Sequence, residues 1–241
     1  MSSAVAAHAA REALERLWPS DPFFDALEHY VALLLEANRR VNLTRVVEPE
    51  AVARLHLLDS LAALPLVDAL GPKRAIDLGS GGGIPALPLA IARPGIAWTL
   101  VDSVGKKAAI LRDFVDRLGL DNVIVLAERA ETLGRDDRHR ERYELATARA
   151  CAALPVLAEL ALPMLQLGGQ LVAWKGPLGD DDPEVRAGNA VSSLLGGGAL
   201  RLSDAGHAEL GGHRFVMAEK LAPTPARFPR RPGEPARRPL G

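Results

Sequence analysis

Apolar positions along this chain change their period near residue 70. Before it they recur at helical spacing: Phe23, Leu27, Tyr30, Val31 and Leu34 fall at i, i+4, i+7, i+8 and i+11, one stripe of a helix. Asp21-Pro22 marks its start, a capping side chain followed by proline. A turn around 38–47 follows. Pro49 then opens a second helix, with Val52, Leu55 and Leu58 apolar and His56, Asp59 and Ser60 close together on another face. From 73 to 221, short apolar runs alternate with amphipathic stretches. The runs 74–78, 97–102, 122–126, 143–148, 170–175, 199–202 and 214–221 read as strands. One helix between them carries the stripe Leu111, Phe114, Val115 and Leu118 and stops at Gly119. The acidic run Asp180, Asp181, Asp182 opens another, where carboxylates favour the helix dipole. Such alternation predicts an α/β fold with a mainly parallel, doubly wound sheet. The last two runs lack a clear helix between them, which predicts a terminal hairpin and one antiparallel strand.

The same pattern divides the chain into a helical region (1–70), an α/β domain (71–222) and a tail (223–241). The tail holds Pro223, Pro225, Pro229, Pro232, Pro235 and Pro239, and five arginines against Glu234. Proline at this density opposes a helix or a central strand, so an extended segment or a surface wrap is expected.

Composition narrows the classes. The chain has 241 residues, 48% of them hydrophobic, and 29 Lys+Arg against 30 Asp+Glu leave a net charge of −1. That is a globular composition without a global field for nucleic acid, so an RNA partner must rest on local patches. The lone Cys151 excludes a disulfide scaffold and a multi-cysteine zinc site, and reads as a small buried residue. No metal site is expected. The longest charge-free apolar stretch, 160–174, is too short for a bilayer, and His8, Arg11 and Glu12 interrupt any signal-peptide core. A cytoplasmic protein without a membrane partner is expected.

Asp77-Leu78-Gly79-Ser80-Gly81-Gly82-Gly83 follows the first strand and leads into a helix near Pro85. Glycines there let the backbone approach a ligand at the carboxyl ends of the strands. A phosphate-binding loop needs a Gly-Lys-Ser/Thr ending, which is missing, and the dinucleotide fingerprint fails at its third glycine, where Ile84 or Ala86 stands. Asp77 beside the loop repels a pyrophosphate but suits S-adenosylmethionine, which carries an ammonium and a sulfonium and no phosphate. Asp102 ends the second strand, where a carboxylate accepts ribose hydroxyls. A structural alternative stays open: Asp77 capping the loop and Asp102 capping the next helix.

Several segments in order resemble the bacterial 16S ribosomal RNA guanine-N7 methyltransferases, the glucose-inhibited division protein B family. They are Asn42-Leu43-Thr44, His56-Leu57-Leu58-Asp59-Ser60, Asp77 through Pro88, Asp102-Ser103-Val104-Gly105-Lys106-Lys107, Arg129-Ala130-Glu131, Thr147-Ala148-Arg149-Ala150, Lys175-Gly176 and Phe228-Pro229-Arg230-Arg231-Pro232-Gly233. The resemblance implies a class I S-adenosylmethionine-dependent methyltransferase sheet behind a helical region. It also implies methylation of N7 of one guanine in 16S rRNA near the decoding region. Carried over by position, the cofactor contacts are Gly79, Ile84, Ala130, Glu131 and Arg149, joined by Asp77, Gly81 and Asp102 from the loop argument. Ala86 departs from the family's usual glycine, and Cys151 from another small or apolar residue.

Guanine N7 has a lone pair and no proton, so attack on a sulfonium methyl needs alignment and desolvation rather than a general base. No catalytic side chain is therefore expected. Asn/Asp-Pro-Pro-aromatic, the signature of exocyclic amine methylation, is missing after the fourth strand. Lys106 and Lys107 stand in the first turn of a helix, where cations oppose the dipole, which hints at phosphate. Arg39, Arg40, Asn42 and Arg45 cluster at one turn, and Arg230 and Arg231 belong to the basic tail. These, with His56 and Lys175, are the candidate RNA contacts, in the free RNA, the small subunit or an assembly intermediate. His56 and Asp59, three apart on a helix, suit a structural hydrogen bond or a substrate contact. His213 belongs to no constellation. A small-molecule methyltransferase and a non-catalytic nucleoside-cofactor sensor remain alternatives.

Overall fold

The computed structural model describes residues 1–19 and 23–240; Asp21-Pro22, the expected helix start, lies outside the described residues. The N-terminal region is helical: α1 (Ser3–Leu17), α2 (Phe24–Asn38), α3 (Pro49–Val52), a π-helical turn (Ala53–Leu58), α4 (Asp59–Leu61) and α5 (Leu64–Leu70). Then β1 (Arg74–Leu78), α6 (Ala86–Ala92), β2 (Ala97–Val101), α7 (Gly105–Leu118), β3 (Val123–Leu126), α8 (Ala130–Leu133), β4 (Tyr143–Arg149), α9 (Leu154–Ala161) and β5 (Leu165–Lys175) alternate. The chain continues with α10 (Pro183–Leu194), β6 (Arg201–Asp204), β7 (Arg214–Glu219) and α11 (Glu234–Arg237). The described helices include none long and apolar enough to cross a membrane.

The seven strands form one sheet in the order β3-β2-β1-β4-β5-β7-β6. All neighbours are parallel except those of β7, which runs against both β5 and β6. The expected single antiparallel strand is therefore β7. After their exposed first residues, β1 and β2 are buried throughout, as parallel strands covered on both faces must be. Successive β1 residues alternate between two cores. Ala75 joins α1, α2, the 53–64 helical segment, α6 and α7 on one face. Ile76 and Leu78 join α9, α10 and Phe228 on the other. The helical region thus shares its core with the sheet.

Local signals place several ends as the sequence predicts. α7 ends at Gly119, and Asp182 caps α10 by accepting from the Glu184 N–H at 2.8 Å, with Pro183 at the first helical position. β5 differs: it begins at Leu165 rather than 170, because a register shift between Tyr143 and Leu145 absorbs the Gly168-Gly169 irregularity. The tail wraps the second face, one of the two forms expected of it, and departs only in that despite its prolines it forms α11, in which Pro235 occupies the first turn, where no amide donor is needed.

Polar side chains hold that wrap, some of them buried and some at the surface. Arg135 donates to the carbonyls of Pro229 and Arg227, and Arg140 to those of Gly134, Phe228 and Thr224. Lys220, fully buried, donates to the Leu162 carbonyl at 2.7 Å; burial lowers its pKa to about 8. Glu159 is entirely buried, and Arg230 meets both its oxygens, with the Nη2 contact at 2.5 Å. Arg230, itself partly exposed, is therefore the charge partner of a buried carboxylate rather than the free surface cation that was expected. Removing it leaves a buried carboxylate without its charge partner, at a cost of about 3–5 kcal/mol. Arg230→Ala is expected to lower the urea midpoint accordingly, whereas Arg231→Ala, at an exposed position, leaves it nearly unchanged.

Candidate functional site

The strand order reverses between β1 and β4, and the crevice outside their carboxyl ends is where such sheets bind ligands. The glycine loop leaves β1 there. The Gly79 and Ser80 N–H groups both donate to the Val101 carbonyl, at 2.9 and 3.0 Å, and the Gly81 N–H donates to Asp102 Oδ2 at 2.9 Å. Gly79 has φ +71°, and a Cβ on it would lie 2.7 Å from Cys151 Sγ. Gly81 has φ +55°, yet a Cβ there meets nothing closer than 3.8 Å, so the loop presents open space at that residue. Tyr30 of α2 donates to the Gly82 carbonyl at 2.9 Å.

A cavity of about 230 Å³ opens beside this loop, lined by Gly79, Gly81, Ile84, His56, Lys107 and Arg149 among others. A second of about 230 Å³ lies at the ends of β4 and β5, and the two share Arg149 and Ala150. Ala150, a non-glycine residue at φ +50°, turns the chain sharply out of β4; such outliers gather at functional sites.

The wall between the cavities is a buried polar network. Arg149 Nη1 stands 2.8 Å from Oδ2 of the buried Asp59, but the pair is not aligned as a hydrogen bond, so this N–H is buried without an acceptor. Asp59 Oδ1 accepts from His213 Nδ1 at 2.9 Å, and the Asp59 carbonyl accepts from Trp174 Nε1 at 2.8 Å. His56 Nδ1 faces Arg149 Nη2 at 3.5 Å, and its Nε2 meets Thr44 Oγ1 at 2.8 Å. Burial, then the Arg149 charge, lowers the His56 pKa to about 4, so the ring is neutral at physiological pH. Burial also lowers the Arg149 pKa, against the pull of Asp59. Asn38 organises the neighbouring turn, its Oδ1 accepting from the Leu43 and Thr44 N–H groups at 2.8 and 2.9 Å.

Several expected residues stand elsewhere. Asp77 does not line the cavity. The parallel register sets it opposite Thr147, whose hydroxyl donates to Oδ1 at 2.6 Å, while Oδ2 is buried without a partner. Burial, with Asp102 nearby, raises its pKa to about 7. The repulsion argument assumed a full, exposed charge and is corrected: Asp77 braces the loop from beneath. Asp102 accepts from the Gly81 and Val104 N–H groups, so it ties the glycine loop to the turn before α7, whose own first turn takes no side-chain cap. Glu131, buried beside Ala130, accepts from the Gly233 N–H of the tail at 2.7 Å. Cys151 is exposed rather than buried; local desolvation against the loop, then the charges of Asp77, Asp102 and Glu131, push its thiol up to about 11.

Among the expected RNA contacts, Arg40, Asn42, Arg45, Lys106 and Arg231 are exposed, Lys107 is half-buried, and exposed Arg39 reaches the Met1 carbonyl at 3.4 Å. Lys175 is engaged internally, donating to Glu184 Oε1 at 2.6 Å and to the Ala152 carbonyl at 3.1 Å. His56 faces the cavity and Thr44, not the outer surface. His56 and Asp59 meet through Arg149 rather than one another. The sequence reading assigned no site role to His213, Asn38, Tyr30 or Ala150, although it placed a turn at 38–47, the one that Asn38 holds.

Because the folded pKa of Asp77 lies above its ordinary value, the folded state holds an extra proton between pH ~4 and ~7. Its contribution to stability is full below that window and lost as pH rises through 7. The thermal midpoint of the wild type relative to Asp77→Asn should therefore fall from pH 5 to pH 8; a constant difference contradicts this.

Comparison with known proteins places this geometry. The family model described as GidB, rRNA small subunit methyltransferase G, matches residues 24–204. Proteins named ribosomal RNA small subunit methyltransferase G are similar along nearly their whole length. The one from Deinococcus radiodurans is 43% identical over 220 residues, covering 91% of this chain and 86% of that protein. The one from Chloroflexus aggregans is 45% identical over 224 residues, covering 92% of each. Among solved structures, an O-methyltransferase from Bacillus cereus in complex with SAH superposes with a TM-score of 0.58 at 18% identity, over 88% of this chain and 97% of that one. That likeness concerns the fold.

Proposed function

The chain belongs to the rRNA small subunit methyltransferase G family, and on that premise we propose that it transfers a methyl group from S-adenosylmethionine to N7 of one guanine in 16S rRNA near the decoding region. The observation that carries the reading is the cavity at the sheet's reversal point, with the glycine loop on one wall and on the other Arg149, a cation held at 2.8 Å by the buried Asp59 carboxylate.

The cavity suits that cofactor chemically. The open face at Gly81 lets a ligand approach the backbone, Arg149 borders the cavity as a cation, and Asp102 retains lone pairs for ribose hydroxyls. Gly79, Gly81, Ile84, Asp102, Ala130, Glu131 and Arg149 are the residues that would hold it, with Asp77 supporting the loop. When bound, the cofactor supplies a methyl on a sulfonium, whose transfer discharges a cation. N7 has a lone pair and no proton, so the protein need hold no general base. Its residues orient the acceptor and exclude water. The buried His56 and Asp59 hold Thr44 and Arg149 at the rim of the cavity, which supports such orientation. Exposed Arg40, Arg45, Lys106 and Arg231, with Lys107, support phosphate contacts, and the substrate is the rRNA in the cytoplasm, free or in a small-subunit particle.

The test incubates the protein with methyl-labelled S-adenosylmethionine and small subunits lacking the modification, then maps N7-methylguanine. One labelled guanine in 16S rRNA is expected; labelled metabolite only, or cofactor binding without transfer, overturns the reading. Asp102→Ala is expected to weaken cofactor affinity by about 1–3 kcal/mol in calorimetry. Lys106→Glu with Lys107→Glu should reduce the logarithmic salt slope of RNA binding by about one to two while sparing cofactor affinity.

A further inference from the structure

The cavity at the ends of β4 and β5 lies on the far side of Arg149 from the glycine loop, and no role has yet been given to its most exposed polar group. His213 enters from the start of β7 with its side chain about one-third exposed. Its Nδ1 is held at 2.9 Å by the buried Asp59 carboxylate. A carboxylate only accepts, so Nδ1 carries a proton, and in that tautomer the lone pair of the ring lies on Nε2. The structure gives Nε2 no protein partner among the described residues. Lys175, on the same cavity, is spent on Glu184 and Ala152 and supplies no free charge.

Asp59 therefore holds two groups of opposite hydrogen-bonding character. Oδ2 pairs with Arg149, a donor group that lines both cavities; Oδ1 holds His213 Nδ1, which leaves Nε2 for an outside partner. Whole-ligand pockets usually exceed ~300 Å³, so each cavity of about 230 Å³ suits a fragment: a methyl donor's reacting end on one side, one base on the other. Guanine matches the donor–acceptor pair. Its O6 acceptor adjoins N7, and its N1–H and N2–H₂ donors follow on the next edge. Arg149 borders the loop cavity, so O6 belongs beside Arg149, which sets N7 toward the methyl donor and carries the 2-amino corner toward His213. Adenine puts a donor amine in place of O6 and a C2–H, with nothing to donate, in place of the 2-amino group.

We propose that the Asp59–His213 pair reads the 2-amino edge of the acceptor guanine, with His213 Nε2 as the acceptor and Asp59 as the group that positions it. This rests on the reading of the protein as a guanine-N7 methyltransferase.

Single-turnover methylation is measured on small subunits reconstituted with guanine or inosine, which lacks only the 2-amino group, at the mapped position. Wild type should prefer guanine by at least ~10-fold, the effect of leaving a site acceptor unpaired. His213→Ala should slow transfer to guanine by a similar factor, bring the guanine-to-inosine ratio near one and leave cofactor affinity unchanged. His213→Gln, which restores an acceptor oxygen, should recover part of the preference. An unchanged ratio in His213→Ala, or an equal loss on both bases, overturns the inference while the methyltransferase reading stands. Failure of the wild type to methylate either RNA sinks that reading and this inference together.

Discussion

One buried carboxylate ties the parts of this molecule together at the site. Asp59 belongs to the N-terminal helical region, yet its partners come from the sheet: Arg149 at the end of β4, His213 at the start of β7, and Trp174 of β5, which donates to its backbone carbonyl. A buried ion is tolerated only when charge and hydrogen bonds compensate its desolvation. Each strand end is thus located by the requirements of a residue about a hundred positions away. Loss of Asp59 would leave a buried guanidinium facing neutral His56 and free the two cavities to merge or collapse.

The glycine loop depends on the same logic. It is held from one side by Asp102 and the Val101 carbonyl, from another by Tyr30 of α2, and from beneath by Asp77 with Thr147. The helical region therefore does more than cover the sheet: Leu43, Thr44 and His56 form one side of the crevice, while Tyr30 and Asn38 hold the loop and the turn that border it. The tail closes the opposite rim through the Gly233–Glu131 contact, anchored by Arg230 on Glu159. Neither end of the chain is peripheral to the cofactor residues that the resemblance implied.

Most of the fold was legible because its signals are local. Alternating apolar runs marked all seven strands, Gly119 and Asp182 marked helix ends, and the glycine loop marked the crevice. The errors share a cause. Arg230 and Lys175 read as surface cations because nothing within a few residues shows that Glu159 and Glu184 neutralise them. Cys151 read as buried because its neighbours are small and apolar, although the turn at Ala150 brings it outward. Asp77 read as a ligand-facing charge because spacing reports proximity to the loop but not which face of the sheet a carboxyl occupies.

The order of residues by itself determined the alternation of elements, the chain reversal that creates a crevice, and the family to which the motifs belong, since periodicity, turn chemistry and motif spacing are properties of neighbouring residues. Only the tertiary structure decided which charges are spent and which are free. Ion pairs such as Asp59 with Arg149 and His213 join residues 90 and 154 positions apart. Their existence depends on strand order, register and burial, and burial is a property that no short stretch of chain possesses.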